Sequence, residues 1–111
     1  MESNYGPTAI VPDASVESLI TISNSLVQKI NNIVSLSIFG TFKADGTKYV
    51  TICTLPPNLR PNGVVWVPSI QYAHDTSNYY SNLRINTDGQ VNVICEKNSY
   101  FCFTITYIAT N

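Results

Sequence analysis

Alternation of apolar and polar side chains dominates this chain. In IVSLSIF (33–39), Val34, Leu36 and Ile38 share one face and Ser35 and Ser37 the other, the pattern of a half-buried strand. SLVQKI (25–30) alternates too, and only Asn31-Asn32 separates the two runs. Asparagine tolerates positive φ, so the pattern predicts a hairpin closed by a two-residue turn. A helix over 16–30 competes, because Val16, Leu19, Ile20, Leu26, Val27 and Ile30 partly fit helical spacing. Its middle, Thr21-Ile22-Ser23-Asn24-Ser25, is poor helix material, and strands are preferred.

The same reading continues to the C-terminus. KYVTICT (48–54) follows an Asp45-Gly46 turn, and VVWVPSIQY (64–72) follows a proline-rich stretch. NLRINTDGQVNVICE holds two strands around Thr87-Asp88-Gly89, with Asn86 and Gln90 closing a three-residue loop and Gly89 free to take the left-handed conformation. YFCFTITYIA (100–109) is the last strand. A second hairpin is expected here, its loop Lys97-Asn98-Ser99 aligning Val91, Val93 and Cys95 with Phe101, Phe103, Ile105 and Tyr107 on one face and leaving Cys102 on the other. Tyr100, Cys102 and Ile108 make the opposite face of this strand apolar as well, more than one small core requires, so that face is expected to meet another subunit. Strands joined by turns, without βαβ alternation, predict an all-β antiparallel β-sandwich or jelly-roll-like knob spanning 24–111. Residues 1–23 are expected to form an N-terminal linker, neck or first strand.

TLPPNLRPNG (54–63) interrupts this pattern. Pro56, Pro57 and Pro61 lack an N–H and cannot sit in a central ladder, so the chain must leave its sheet here and cross an edge or end of the sandwich. Leu55 and Leu59 are positioned to plug the core beneath the crossing, and Arg60 to satisfy carbonyls that the loop leaves open.

Composition narrows the classes of partner. The 111 residues fit one domain. Six Lys and Arg, spread singly against seven Asp and Glu, do not make the clustered cations that nucleic acid requires. No apolar run reaches the length of a membrane span, and the first residues lack the basic start and apolar core of an export signal, so synthesis in the cytoplasm and no membrane insertion are expected. Cys53, Cys95 and Cys102 are odd in number and are expected to be buried, reduced thiols. They and the single histidine lack zinc-like spacing, and no metal or cofactor is expected.

SLVQKINNIVSLSIFGTF (25–42), TICTLPPNLRP (51–61), LRINTDGQVNV (83–93) and FTITYIA (103–109) combine a strand ending in glycine, a Leu-Pro to Arg-Pro connector, an N-x-D-G hairpin and a terminal aromatic strand. Over residues 24 to 109 this resembles the C-terminal head domains of tail-fibre and receptor-binding proteins of phages infecting Gram-positive bacteria. Many of those domains carry glycine where this chain has Cys53. The resemblance implies a homotrimeric β-sandwich knob on an N-terminal stalk, located in the virion beside other tail or baseplate proteins, that attaches the particle to host cell-wall saccharide. The alternative is a purely structural virion component without glycan binding.

A pyranose offers an apolar face ringed by hydroxyls, so its sites combine an aromatic platform with planar hydrogen-bonding groups. QYAHDTSNYYSNLR (71–84), read as a loop between strands, is the densest such cluster: Tyr72, His74, Asp75, Asn78, Tyr79, Tyr80 and Arg84. Trp66 joins the candidates, with core or subunit interface as its plainer reading. His74 beside Asp75 lacks an activated serine or cysteine motif, and the carboxylates are not paired for glycoside hydrolysis, so no enzyme activity is expected.

Overall fold

A computed structural model describes residues 4–44, 48–72 and 78–109, except for the side chains of 69–72 and 78–80. The described strands are β1 (Tyr5–Thr8), β2 (Ile20–Ile30), β3 (Ile33–Phe42), β4 (Val50–Thr54), β5 (Val65–Tyr72), β6 (Asn78–Ile85), β7 (Gln90–Ile94) and β8 (Ser99–Ile108). They form two four-stranded antiparallel sheets, ordered β1-β2-β3-β8 and β4-β7-β6-β5. No α-helix occurs among the described residues. The second sheet is a Greek key: β5, β6 and β7 form a meander, and β4 lies beside β7 after a long connection.

The core is the alternation made three-dimensional. Val34, Leu36, Ile38, Phe101 and Phe103 of the first sheet and Leu83, Ile85, Val91 and Val93 of the second are almost wholly buried. β2 and β3 form the expected hairpin, with Ile30 opposite Ile33 and Asn31 at φ 58°. Two bulges explain where alternation fails. Ile22 pairs with Gly40 and Asn24 with Phe39, so Ser23 is extra; Thr51 pairs with Asn92 and Cys53 with Val91, so Ile52 is extra. The first bulge lets Ile20 and then Val27 both face the core; the second buries Ile52 and Cys53 in succession.

The β6–β7 turn is built as its sequence indicates. Asn86 N–H donates to Gln90 O at 2.9 Å, and Gly89 sits at φ +92°. Leu55 N–H donates to the Gly89 carbonyl at 2.8 Å, docking the proline connector onto this turn.

That connector leaves β4, caps one end of the sandwich and re-enters the same sheet at its far edge, as β5. A short 3-10 turn, Pro57–Leu59, carries Leu59 into the core at 0% exposure. Its carbonyls are satisfied from the first sheet: Lys29 Nζ donates to Asn58 O at 2.8 Å and Tyr107 Oη–H to Leu59 O at 2.7 Å. Arg60 Nε donates to Leu55 O at 3.0 Å, the structural role expected of it.

Two expectations are corrected. β7 and β8 are not a hairpin, because β7 already pairs with β4 on one side and β6 on the other; residues 95–98 instead carry the chain across to β3 in the opposite sheet. Val91, Val93, Cys95, Phe101, Phe103 and Tyr107 all still face the core, from its two sides. Cys102 is exposed on the outer face, although Cys53 and Cys95 are buried, and none of the three is in a disulfide. Within the N-terminal stretch, β1 pairs with β2, and Asp13 N–H donates to Ile52 O at 2.8 Å, so residues 9–13 strap one sheet to the other.

Candidate functional site

The outer face of the β4-β7-β6-β5 sheet carries a polar and aromatic row spanning all four strands. Trp66 pairs with Arg84, Arg84 with Asn92, and Asn92 with Thr51. β5 is an edge strand, which is why Pro68 is tolerated in it and why Trp66 is 53% exposed.

Among the described residues, Arg84 is held by rings rather than by carboxylates. Its guanidinium carbon lies 4.4 Å from the centroid of Tyr49 and 5.3 Å from that of Trp66. Stacking of this kind orients the planar fork and leaves its donors for in-plane partners. Arg84 Nε is buried with no hydrogen-bond partner, and so is Asn82 Oδ1 on the same strand. Beneath this layer Thr51 Oγ1 donates to Asn92 Oδ1 at 2.6 Å, and Asn92 is 2% exposed. The result is an exposed indole beside a braced guanidinium, with a hydrogen-bonded amide and hydroxyl beneath them.

Trp66 and Arg84, both candidates from the sequence, are thus cross-strand neighbours. Tyr49 was missed; it lies two residues before Thr51, outside the aromatic cluster, and reaches Arg84 only because β7 separates β4 from β6. Tyr72, Asn78, Tyr79 and Tyr80 do not lie in a loop. Tyr72 pairs with Asn78, Gln71 with Tyr79 and Ile70 with Tyr80, extending the β5–β6 hairpin. Tyrosine is a strong strand former, and this outweighs the serines and asparagines around it. His74 and Asp75 lie outside the described residues, as does the Asp45-Gly46 turn.

The buried thiol is chemically quiet. Burial, reinforced by the charge of Asp13, pushes Cys53 up from 9.0 to about 11, so it stays protonated at neutral pH and is a poor nucleophile. A hollow of about 180 Å³ beside it is lined by Tyr5, Val27, Thr54, Leu55 and Leu59. Among the described residues no group of three or more His, Cys, Asp or Glu is arranged to hold a metal ion. No described helix is long and apolar enough to cross a membrane.

No protein-family model matches this chain, and no curated protein sequence matches it.

Proposed function

We propose that this protein is a non-enzymatic receptor-binding head of the phage tail-fibre or baseplate type, attaching a virion to host cell-wall saccharide through the Trp66–Arg84–Tyr49 platform. The observation that carries this reading is an exposed tryptophan beside an arginine stacked on it and on Tyr49. The indole supplies an apolar surface for a sugar ring, and the guanidinium braced beside it supplies charge-assisted donors for its hydroxyls. The two-sheet fold accords with the resemblance of residues 24 to 109 to such heads. A jelly-roll-like knob, three copies about an axis and a place at the tail tip belong to the same proposal.

The second reading, a structural virion component, draws on a different feature: the apolar outer face of the other sheet, which assembly alone would bury. Pull-down with purified Gram-positive cell wall separates the two. Saccharide capture that Trp66→Ala and Arg84→Ala each abolish, with the fold and subunit number unchanged, supports the attachment reading. Absence of capture by the unaltered chain across a panel of cell walls supports the structural one.

A further inference from the structure

The outer face of the β1-β2-β3-β8 sheet is hollowed beside the bulge in β2, and the hollow has a volume of about 210 Å³. Two successive rungs of that face shape it. Phe39 stands between Asn24 and Cys102 in one, and Ser37 stands opposite Thr104 in the next. The bulge decides the first rung, because the extra Ser23 sets Asn24 opposite Phe39. Ser37 is half-buried and leaves the space that a larger side chain would fill. Phe39 is the aromatic wall, 41% exposed, and its ring is braced by Tyr100 with centroids 6.3 Å apart and planes at 17°. Asn24 and Thr104, both exposed, edge the opening with an amide and a hydroxyl. Ile33, in the row of exposed isoleucines, is four residues from Ser37 along β3, roughly 13 Å. The hollow is therefore distinct from that apolar row.

Charge and size say what fits there. Lys29 is the one charged residue in β2, β3 and β8, and it is turned inward at 1% exposure. A charged group entering the hollow would give up water and meet no counter-charge from these strands. The volume exceeds the ~150 Å³ that holds one benzene ring and falls short of the ~300 Å³ of a pocket for a drug-sized molecule, so it suits a single ring-sized unit. A phenyl wall takes the apolar face of a ring, and an amide with two hydroxyls can both donate to and accept from its rim. A wholly apolar occupant would set those three polar groups against carbon. A neutral pyranose matches both halves of the lining.

We propose that this hollow is a second saccharide site, on the sheet opposite Trp66, taking one uncharged pyranose unit against Phe39. It is independent of the Trp66 platform and, built for a single ring, too weak to capture cell wall by itself. Cys102 lines the hollow and is the one exposed cysteine of the three, so its alkylation reads occupancy without any substitution.

The test follows N-ethylmaleimide labelling of Cys102 in the full chain. Methyl glucoside, methyl galactoside, methyl mannoside, rhamnose and N-acetylglucosamine are each titrated to about 100 mM, with glucuronate as the charged control. At least one neutral sugar is expected to slow labelling saturably, by ~5-fold or more at the top of the titration, while glucuronate does not. Phe39→Ala removes the wall and Ser37→Leu fills the floor; each is expected to abolish the protection with strand content unchanged. Protection by none of the neutral sugars, equal protection by glucuronate, or protection that persists in either folded variant overturns the proposal. So does labelling that is slow without sugar and quickens on dilution, since a second copy would then occupy the hollow. Cell-wall capture by a chain whose Cys102 no sugar protects would sink this inference alone; sugar protection of Cys102 in a chain that captures no cell wall would sink the platform alone.

Discussion

Tyr107 near the end of the chain donates its hydroxyl to the carbonyl of Leu59, 48 residues earlier, at 2.7 Å. With Lys29 Nζ on the neighbouring Asn58 carbonyl, this bond ties the proline connector to the first sheet, although the connector joins two strands of the second. A segment with three prolines cannot satisfy itself through ladder bonds, so side chains from the opposite layer supply the donors.

Tyr107→Phe removes that donor and leaves the Leu59 carbonyl buried without it. The expected loss is about 1–3 kcal/mol, the cost of an unsatisfied buried acceptor. Urea unfolding is expected to show a lower midpoint with an unchanged slope. A midpoint equal to that of the unaltered chain would mean that water takes the tyrosine's place.

Leu59→Ala empties the plug itself. A wholly buried leucine replaced by alanine costs about 2–5 kcal/mol, and thermal unfolding monitored by near-ultraviolet circular dichroism checks it. A loss below about 1 kcal/mol would mean that the connector collapses to refill the space, and that the end cap is less rigid than its hydrogen bonds indicate.

Gly40 is needed for close approach. A Cβ there would run into the Thr21 carbonyl oxygen and lie 2.9 Å from the Phe101 ring, so backbone and a core aromatic would both have to give way. Gly40→Ala is expected to destabilise by about 1–3 kcal/mol as an overpacking change. Gly63, whose added Cβ meets nothing within 4 Å, is the matched control, and alanine there is expected to be nearly neutral.

Alkaline pH weakens the fold in a defined window. Cys53 rises from 9.0 to about 11, chiefly through burial and secondarily through Asp13; Tyr107 is also raised, chiefly through burial and secondarily through Cys53. Both groups are neutral when protonated, so the folded state holds its protons to higher pH than the unfolded chain does. The contribution of Cys53 is complete below pH 9.0 and is lost as pH rises toward 11, and that of Tyr107 is lost at still higher pH. Urea midpoints are expected to be level with respect to these groups below that window and to fall through it. In Cys53→Ala the fall is expected to begin later. A midpoint that stays level up to pH 11 would contradict the burial of Cys53.

The local signals were legible. Val34, Leu36 and Ile38 announce a strand because alternation needs only neighbours in sequence, and Thr87-Asp88-Gly89 announces its turn because Gly89 takes a positive φ. Leu55 and Leu59 were readable as plugs from the prolines around them. Strand order was not legible. That β8 joins β3 and not β7 follows from β4 occupying the remaining edge of β7, a long-range pairing that no local window contains. Ser23 and Ile52 shift the parity of their strands, so alternation breaks where the strand does not. For the site, Trp66 and Arg84 were visible as residue types, but Tyr49 enters only through a sheet order that places β4 two strands from β6.

Trp66 is the single tryptophan of the chain, so its fluorescence reports on the platform directly. The unaltered protein is titrated with cell-wall polysaccharide fragments from Gram-positive bacteria while emission and acrylamide quenching are followed. The account predicts a saturable shift to shorter wavelength, protection from quenching, and an affinity at least ~10-fold lower in Arg84→Ala, the loss of one charge-assisted donor. Saccharide binding that leaves Trp66 emission and quenching unchanged, or that Arg84→Ala does not weaken, would contradict it.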